Sequence, residues 1–417
     1  MKPNYRKIDK CLICGNSNLK TILDLGEQYL TGLFPKVVEP QNITKGPLRL
    51  IKCHGQDTCG LVQLEHVYDL SEMYGENYGY RSGLNASMVK HLADKVAKIC
   101  SNTVLQDGDL IVDIGSNDGT TLGLYPEDLC LLGVDPTGGK FRSFYKPHVS
   151  LIADFFSAKA VQKAYPNKKA KVVTSFSMFY DLEDPVGFAK EIVSILDDEL
   201  GIWVFEQSYM PLMLERNAYD TVCHEHLEFY GLKQIKWIAD RAGLEILDVE
   251  LNSVNGGSLS VTAGVKGKTH LSVSKSVQKM LEAEEQAGLS TLTPYLEFSA
   301  RVDRSRAEFQ NFVRQVEKEG KKLLGIGAST KGNVLLQYCG ITTAQISKIG
   351  DVNVDKHGAF TPGSWIPIQA EDEILASDPD YLLVFPWHFR DFFINHPKFK
   401  GRKLVFPLPR LEIVECD

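Results

Sequence analysis

The 417-residue chain has no run of 18 uninterrupted apolar residues, so no membrane-spanning helix is expected. Its opening, MKPNYRKIDK, lacks the apolar segment of a secretory signal. It has no basic excess: 46 Lys and Arg stand against 53 Asp and Glu, a net charge of −7. Nucleic acid and an anionic membrane surface are therefore disfavoured as partners. There is no disulfide pattern either, since nine cysteines, an odd number, are scattered along the chain. That usage fits a reducing, cytoplasmic setting with a metal site. The zinc-protease motif H-E-x-x-H is absent. What is present is enough chain for two or three domains, with near-average apolar and charged content.

The stretch LIVDIGSNDG, Leu110–Gly119, reads as a buried parallel strand, a glycine turn, and a helix starting near Thr120. Glycine at such a turn lets a ligand lie against the backbone. Twenty residues after Gly115, a second apolar run ends in Asp135-Pro136, where a carboxylate can accept ribose hydroxyls. A nucleoside cofactor follows, either a nicotinamide dinucleotide or S-adenosylmethionine. The loop Gly115-Ser116-Asn117-Asp118-Gly119 lacks the middle glycine of G-x-G-x-x-G, and Asp118 would repel a pyrophosphate. A loop made anionic by Asp118 suits the cationic S-adenosylmethionine better. The plainer alternative is a tight turn with no ligand.

In chain order, residues 1–70 carry Cys11-x-x-Cys14-Gly and then Cys53 and Cys59, a four-thiolate set of the kind structural zinc prefers. His54 could replace one ligand, and four unrelated buried cysteines are the alternative. Residues 71–265 begin with a tyrosine-glycine loop containing Tyr78 and Tyr80, either cleft-lining or simply surface residues, followed by the amphipathic stretch MVKHLADKVAKIC. Seven strand-like runs follow to Val265, the last two adjacent. They predict a doubly wound α/β sheet with an antiparallel end and ligands beyond the strand termini. Asp113, Gly115, Asp135, Asp154, Ser175 and Glu206 fall on that rim, and Asp154-Phe155 could hold an adenine or merely cap a helix. Next comes YDTVCHEHLEFY, Tyr219–Tyr230, where His226 is a candidate general base, Glu225 its orienting carboxylate, and His224 a second candidate. The alternative is a pair of structural histidines. Residues 266–417 open with charged helices read as solvated connectors. They end in a second α/β module around Gly325-Ile-Gly-Ala-Ser-Thr-Lys-Gly332. Ser329, Lys331, Asn333, Asp351 and Lys356, with Arg390 further on, suit an anionic, nucleotide-linked substrate. A purely structural domain is the alternative.

The ordered set CLICG, LDLGEQ, CGLVQLE, YGYRSG, VDIGSNDG, CHEHLEFY, NGGSL, GIGASTKGN, FTPG and PWHFRD resembles the sugar C-methyltransferases of nucleotide-linked keto-deoxysugars over almost the whole chain. The resemblance implies a small N-terminal zinc-binding module, a central S-adenosylmethionine domain and a C-terminal Rossmann-like domain holding a nucleotide-sugar. By that likeness Cys11, Cys14, Cys53 and Cys59 are zinc ligands, Gly115–Gly119 the cofactor turn and Asp135 the ribose acceptor. His226 is the base beside Glu225, and Tyr78 or Tyr80 an active-site tyrosine. Two positions depart from the family pattern. Cys223 stands where a tyrosine is common, and SFSMFYDLEDP lacks a histidine, with Tyr180 the nearest polar ring. The implied reaction is base-catalysed formation of an enolate at C3 of a dTDP- or GDP-linked 4-keto-6-deoxysugar, steadied by Tyr78, Tyr80 or Asn255, and then methylation. A monomer or weak homodimer is expected. The rivals are a nicotinamide-dependent sugar oxidoreductase or epimerase, and a non-catalytic zinc-containing nucleotide-binding protein.

Overall fold

The structure, a computed structural model, describes residues 4–73 and 80–416. Strands β1 (Tyr5–Lys7), β2 (Leu19–Tyr29), β3 (Lys45–Cys53), β4 (Val62–Leu64) and β5 (His66–Tyr68) form the N-terminal module. β2, β3 and β4 make an antiparallel sheet, and β1 pairs with β5.

The central domain holds β6 (Leu110–Ile114), β7 (Cys130–Val134), β8 (Ser150–Ile152), β9 (Ala170–Phe176), β10 (Ile202–Ser208), β11 (Glu228–Phe229), β12 (Leu244–Asn252) and β13 (Ser258–Val265). Seven of these form one sheet in the order β12-β13-β10-β9-β6-β7-β8. β6 to β10 run parallel to one another, and β13 runs antiparallel to both β10 and β12. All five residues of β6 are buried, as a strand covered on both faces requires. The strand order reverses between β6 and β9, which opens a crevice at their carboxyl ends. β11 leaves this sheet altogether. It pairs with β4 and becomes the edge of the N-terminal module's sheet.

Helix α1 (Ala86–Asn102) starts where the Asn85 side chain accepts the amides of Ser87 and Met88. It buries Leu92, Val96 and Ile99, one helical stripe, and the last two join the cluster that includes Ile111 and Val204. The helix expected near Thr120 is not formed; only a 3₁₀ turn, Leu122–Leu124, follows the glycine loop. Asp118 Oδ1 takes Thr120 N and Oγ1 in a local turn, Gly119 sits at φ +76°, and Pro126 blocks extension.

Helices α2 (Lys275–Gln286) and α3 (Thr293–Lys318) lead to the C-terminal domain. α3 is more than a solvated connector. Tyr295, Phe298, Val302, Phe309, Val313 and Val316 form a buried stripe in one cluster with Leu23 of β2 and Leu324. The last domain contains β14 (Leu323–Ile326), helix α4 (Thr330–Cys339), β15 (Ile349–Asp351), β16 (Ile368–Ala370), β17 (Tyr381–Val384), β18 (Lys403–Phe406) and β19 (Glu412–Glu415). Its sheet order is β16-β15-β14-β17-β18-β19, parallel except for β19.

Candidate active site and metal centre

The glycine loop after β6 has three left-handed residues, Gly115 (φ +73°), Asn117 (φ +50°) and Gly119 (φ +76°). A Cβ on Gly119 would lie 2.8 Å from the Tyr145 ring, so that position needs glycine. Tyr145 pins the loop from outside. Its hydroxyl lies 2.8 Å from Ser116 Oγ and donates to the Asn117 carbonyl at 2.8 Å. Asp135, just past β7, reaches the same loop, its Oδ2 accepting Asn117 N at 2.7 Å while Oδ1 takes Thr137 N and Oγ1. Asp154 and Phe155 stand exposed past β8, and Phe155 is 55% accessible at the same rim. Pro136 is exposed beside Asp135. A bare glycine turn, a carboxylate at the second strand and an unburied aromatic ring past the third fit a nucleoside such as that of S-adenosylmethionine.

Three expected cofactor residues do other work. Asp113 lies beneath the loop, taking the Thr174 hydroxyl at 2.5 Å, and burial pushes its carboxyl up to about 7. Ser175, next to Thr174 on β9, faces the opposite side of the sheet and accepts the Trp203 indole N–H at 2.9 Å. Asp118 does not present a spare charge to a ligand. Its Oδ2 accepts Gly83 N at 3.0 Å and lies 3.7 Å from Arg81 Nε. Asn117 adds two more ties, Nδ2 to the Tyr80 carbonyl and Oδ1 from Ser82 N. Asn117 and Asp118 therefore clamp the segment entering α1 onto the glycine loop. Tyr80 is half exposed beside that clamp, and Tyr78 lies outside the described residues.

The His-Glu-His segment turns sharply, with His226 N bonded to the Cys223 carbonyl at 3.2 Å. The turn sends His224 and Glu225 to one side and His226 to the other. His226 donates through Nδ1 to the Thr221 carbonyl at 2.9 Å, which leaves the lone pair on Nε2. Its ring lies 4.3 Å, centroid to centroid, from Tyr180. Burial, reinforced by the Lys331 charge, lowers its pKa to about 4. Thus Thr221, not Glu225, orients His226. Glu225 instead packs on Gly32 of the N-terminal module, where any Cβ would collide with Oε1. Burial raises its pKa. His224 also departs from a catalytic role. It is buried against the same module, Nδ1 lying 3.3 Å from Thr31 Oγ1 and its ring edge-on to Tyr68, and burial drops its pKa to about 3.

The C-terminal domain closes over this turn. Ser329 caps α4, its Oγ accepting Gly332 N at 3.0 Å. Asn333 ties to the N-terminal module by donating to the Thr31 carbonyl at 2.8 Å. Lys356 donates to the Ala328 carbonyl at 2.7 Å, with Asp351 3.6 Å away, so a cation flanks the second glycine loop. Lys331 turns away from that loop and donates to the carbonyl of Asn255, a left-handed residue at φ +54°, at 2.6 Å. Arg390 is not in the site: it pairs through Nε and Nη2 with Glu412 of β19, both bonds 2.9 Å. Its neighbours Trp387 and His388, in the same PWHFRD stretch, are the ones that face inward. Trp387 Nε1 donates to Asp220 Oδ2 at 2.8 Å, and His388 is pressed near Gly256. Nothing in sequence spacing singled out Asp220, Trp387, Thr31, Met178 (against Gly115) or His91, which lies 2.6 Å from the rim residue Glu206. The weak signals were the PWHFRD and LDLGEQ stretches and the acid two residues before Val222.

The four cysteines converge. Cys11 and Cys59 sulfurs are 3.3 Å apart, Cys14 and Cys53 3.5 Å, and all four lie within 4.8 Å of one another. Four sulfurs at that spacing fit a tetrahedral zinc. Asn16 Nδ2 donates to Cys53 Sγ at 3.2 Å, and the buried Lys52 ammonium donates to the carbonyls of Cys53 and Gly60, placing a cation beside an anionic tetrathiolate. His54 is not one of the four.

Three family models match the chain in order. Residues 11–74 match one described as "Putative zinc binding domain", 84–249 a "Methyltransferase domain", and 253–409 a "C-methyltransferase C-terminal domain". Over 424 aligned residues the chain is 29% identical to the C-methyltransferase NovU of Streptomyces niveus, covering 100% of this chain and 99% of that one. Among solved structures, magnesium protoporphyrin IX methyltransferase from Synechocystis PCC 6803 with bound SAH aligns at TM-score 0.34 and 14% identity, over 46% of this chain and 91% of that one. An S-adenosylmethionine-dependent methyltransferase from Clostridium acetobutylicum aligns at TM-score 0.32 and 15% identity, over 43% and 92%.

Proposed function

From a chain that belongs to the C-methyltransferases assembled from zinc-binding, methyltransferase and C-terminal domains, we propose an enzyme that methylates C3 of a dTDP- or GDP-linked 4-keto-6-deoxysugar. The work divides among residues 1–70, which hold zinc; 71–265, which hold the cofactor and base; and 266–417, which hold the nucleotide end. Gly115–Gly119, Asp135 and the Asp154-Phe155 pair would hold S-adenosylmethionine, whose sulfonium would offer an electrophilic methyl group and leave S-adenosylhomocysteine as the by-product. Zinc on Cys11, Cys14, Cys53 and Cys59 braces the module, since four thiolates leave no position open for chemistry.

A ketone at C4 acidifies the C3–H bond. His226 Nε2 takes that proton, and the C–H electron pair becomes the C3–C4 double bond of an enolate. The observation that carries this reading is the His226 imidazole, whose Nδ1–H is held by the Thr221 carbonyl so that the Nε2 lone pair is left for a proton, with burial keeping the ring's pKa low. A general base must be neutral before it can accept a proton. The second glycine loop, with its backbone amides and the Lys356 ammonium beside it, receives the diphosphate.

The test is incubation with methyl-labelled S-adenosylmethionine and a panel of dTDP- and GDP-linked 4-keto-6-deoxysugars, read by mass and carbon NMR. Label on C3 of one keto sugar is expected. Label on oxygen, or on no keto sugar, refutes the proposal.

A further inference from the structure

We propose that Lys331 is a catalytic residue whose ammonium holds the C4 oxygen as it becomes an enolate, rather than a phosphate ligand. The inference rests on the keto-sugar reading above. Lys331 sits in the first turn of α4, directly behind a glycine loop, where a phosphate-binding lysine would fold back over its own loop. It does the opposite. Its Nζ crosses to the central domain and donates to the Asn255 carbonyl at 2.6 Å.

That carbonyl belongs to a ring of contacts that ends at the base. The Asn255-Gly256 turn lies against Trp387 and His388, with an ideal Cβ at Gly256 3.8 Å from the indole. Trp387 holds Asp220 at 2.8 Å, Asp220 precedes Thr221, and the Thr221 carbonyl holds His226 at 2.9 Å. Lys331 and His226 are thus held on one chain of contacts from two domains, near enough for the Lys331 charge to act on the imidazole. The charged and titratable groups around Lys331 are Asp220, Cys223, His226 and His388, all of which sense or are sensed by its charge.

Two buried polar atoms along these contacts have no partner of their own. Asp220 Oδ1 is buried with no partner among the described residues, and so is His388 Nδ1; Asp220 as a whole is only 1% exposed. Buried polar atoms without partners are costly unless something else meets them. A sugar ring with hydroxyls and one carbonyl oxygen answers that need.

The half-reaction balances without further reagents. The C3 proton moves to His226 Nε2, the C–H pair forms C3=C4, and the C4=O π pair moves onto O4, where the Lys331 ammonium meets it. A fixed cation aimed at developing oxyanion charge gains strength in a site shielded from water.

The experiment follows exchange of the C3 proton in D₂O, without cofactor, by NMR, for wild type, Lys331→Met, Lys331→Gln and Lys331→Arg. Methylation kinetics are measured alongside. Lys331→Met should slow both exchange and kcat by about 10²–10³, as loss of one oxyanion donor does. KM should change less than about threefold. Lys331→Arg should recover at least a tenth of the loss. The acid limb of kcat/KM should move to higher pH in the Met variant, because the cation that depresses His226 is gone. Should the Met variant not fold, the Gln variant, which can still donate to Asn255, carries the same expectation. Exchange within tenfold of wild type, or a raised KM with kcat kept, overturns the assignment. Wild type that exchanges no C3 proton on any keto sugar refutes instead the keto-sugar reading beneath it.

Discussion

Acidity separates a buried, pre-set imidazole from an ordinary one. His226 is held near a pKa of about 4 by burial, with the Lys331 charge adding to it. The free-enzyme profile of kcat/KM reports the base directly. At pH 5 a group titrating at about 4 is roughly 90% neutral, whereas an ordinary histidine near 6.5 is about 3% neutral. The enzyme should therefore keep nearly all its kcat/KM from pH 7 to pH 5, where an exposed histidine would lose about 25-fold. Stability runs the other way. The folded state binds the proton less readily than the unfolded chain, so the stability linked to this residue is whole above about pH 6.5 and falls as pH drops toward 4. The loss is at most about 1.4 kcal/mol per pH unit. Initial rates after brief dilution from pH 7, with circular dichroism at each pH, separate the two effects. His226→Asn should leave adenosylhomocysteine affinity unchanged and lower turnover by about 10²–10⁴ at every pH. An acid limb between 6 and 7 in protein that is still folded would refute the neutral, Thr221-held base.

Cys14→Ser should lose bound zinc and lower the melting temperature; a variant with wild-type zinc content would remove that thiol from the metal set. Gly119→Ala puts a methyl 2.8 Å from the Tyr145 ring at φ +76°, whereas Gly243→Ala, at φ +85°, meets nothing within 4 Å. Both should lose about 1 kcal/mol to backbone strain, with another ~1–3 kcal/mol for Gly119. Only Gly119→Ala should weaken adenosylhomocysteine binding by calorimetry, and equal effects at both sites would contradict the packing argument. His224, depressed to about 3 by burial, should cost up to about 5 kcal/mol between pH 6.5 and 3, its stability whole above 6.5. His224→Gln should flatten that acid slope in denaturant titrations; an unchanged slope would mean that His224 is not what acid attacks.

The seven strands of the central sheet are legible because strands buried on both faces are continuous apolar runs, and LIVDI and CLLGV are such runs. The four cysteines are legible because thiolate geometry demands short spacings. What the sequence hides is phase and direction. Thr174 and Ser175 are adjacent polar residues on β9, and only the sheet decides that Thr174 meets Asp113 while Ser175 meets Trp203. A one-turn reversal at Cys223–His226 cannot be read from letters, yet it sends His224 and Glu225 to the N-terminal module and His226 to the rim. In PWHFRD the charged Arg390 draws attention, but a charge with a surface partner such as Glu412 has no reason to enter a core. The buried stripe of α3 is hidden for a related reason: Arg, Glu and Gln fill its other faces and make the stretch look fully solvated.

That reversal also explains why a zinc module belongs in an enzyme whose chemistry lies elsewhere. Two residues past His226, the chain enters β11 and becomes the fourth strand of the module's sheet, paired with β4. Between β4 and the metal lie only the β3–β4 connection and Cys53 and Cys59, which end or follow β3. Thr31 and Gly32, at the end of β2, meet His224 and Glu225, while the Thr31 carbonyl takes Asn333 of α4. The proposed base, His226, is therefore suspended from a sheet whose far end carries the zinc-binding cysteines. Removing the metal should disturb His226 through a few residues of backbone and two side-chain contacts, with the cofactor loop on the other side of β6 spared. Chelation should accordingly abolish C3 proton exchange while adenosylhomocysteine still binds. Loss of both together, at the same chelator concentration, would instead mean that the module supports the whole fold and not the base in particular.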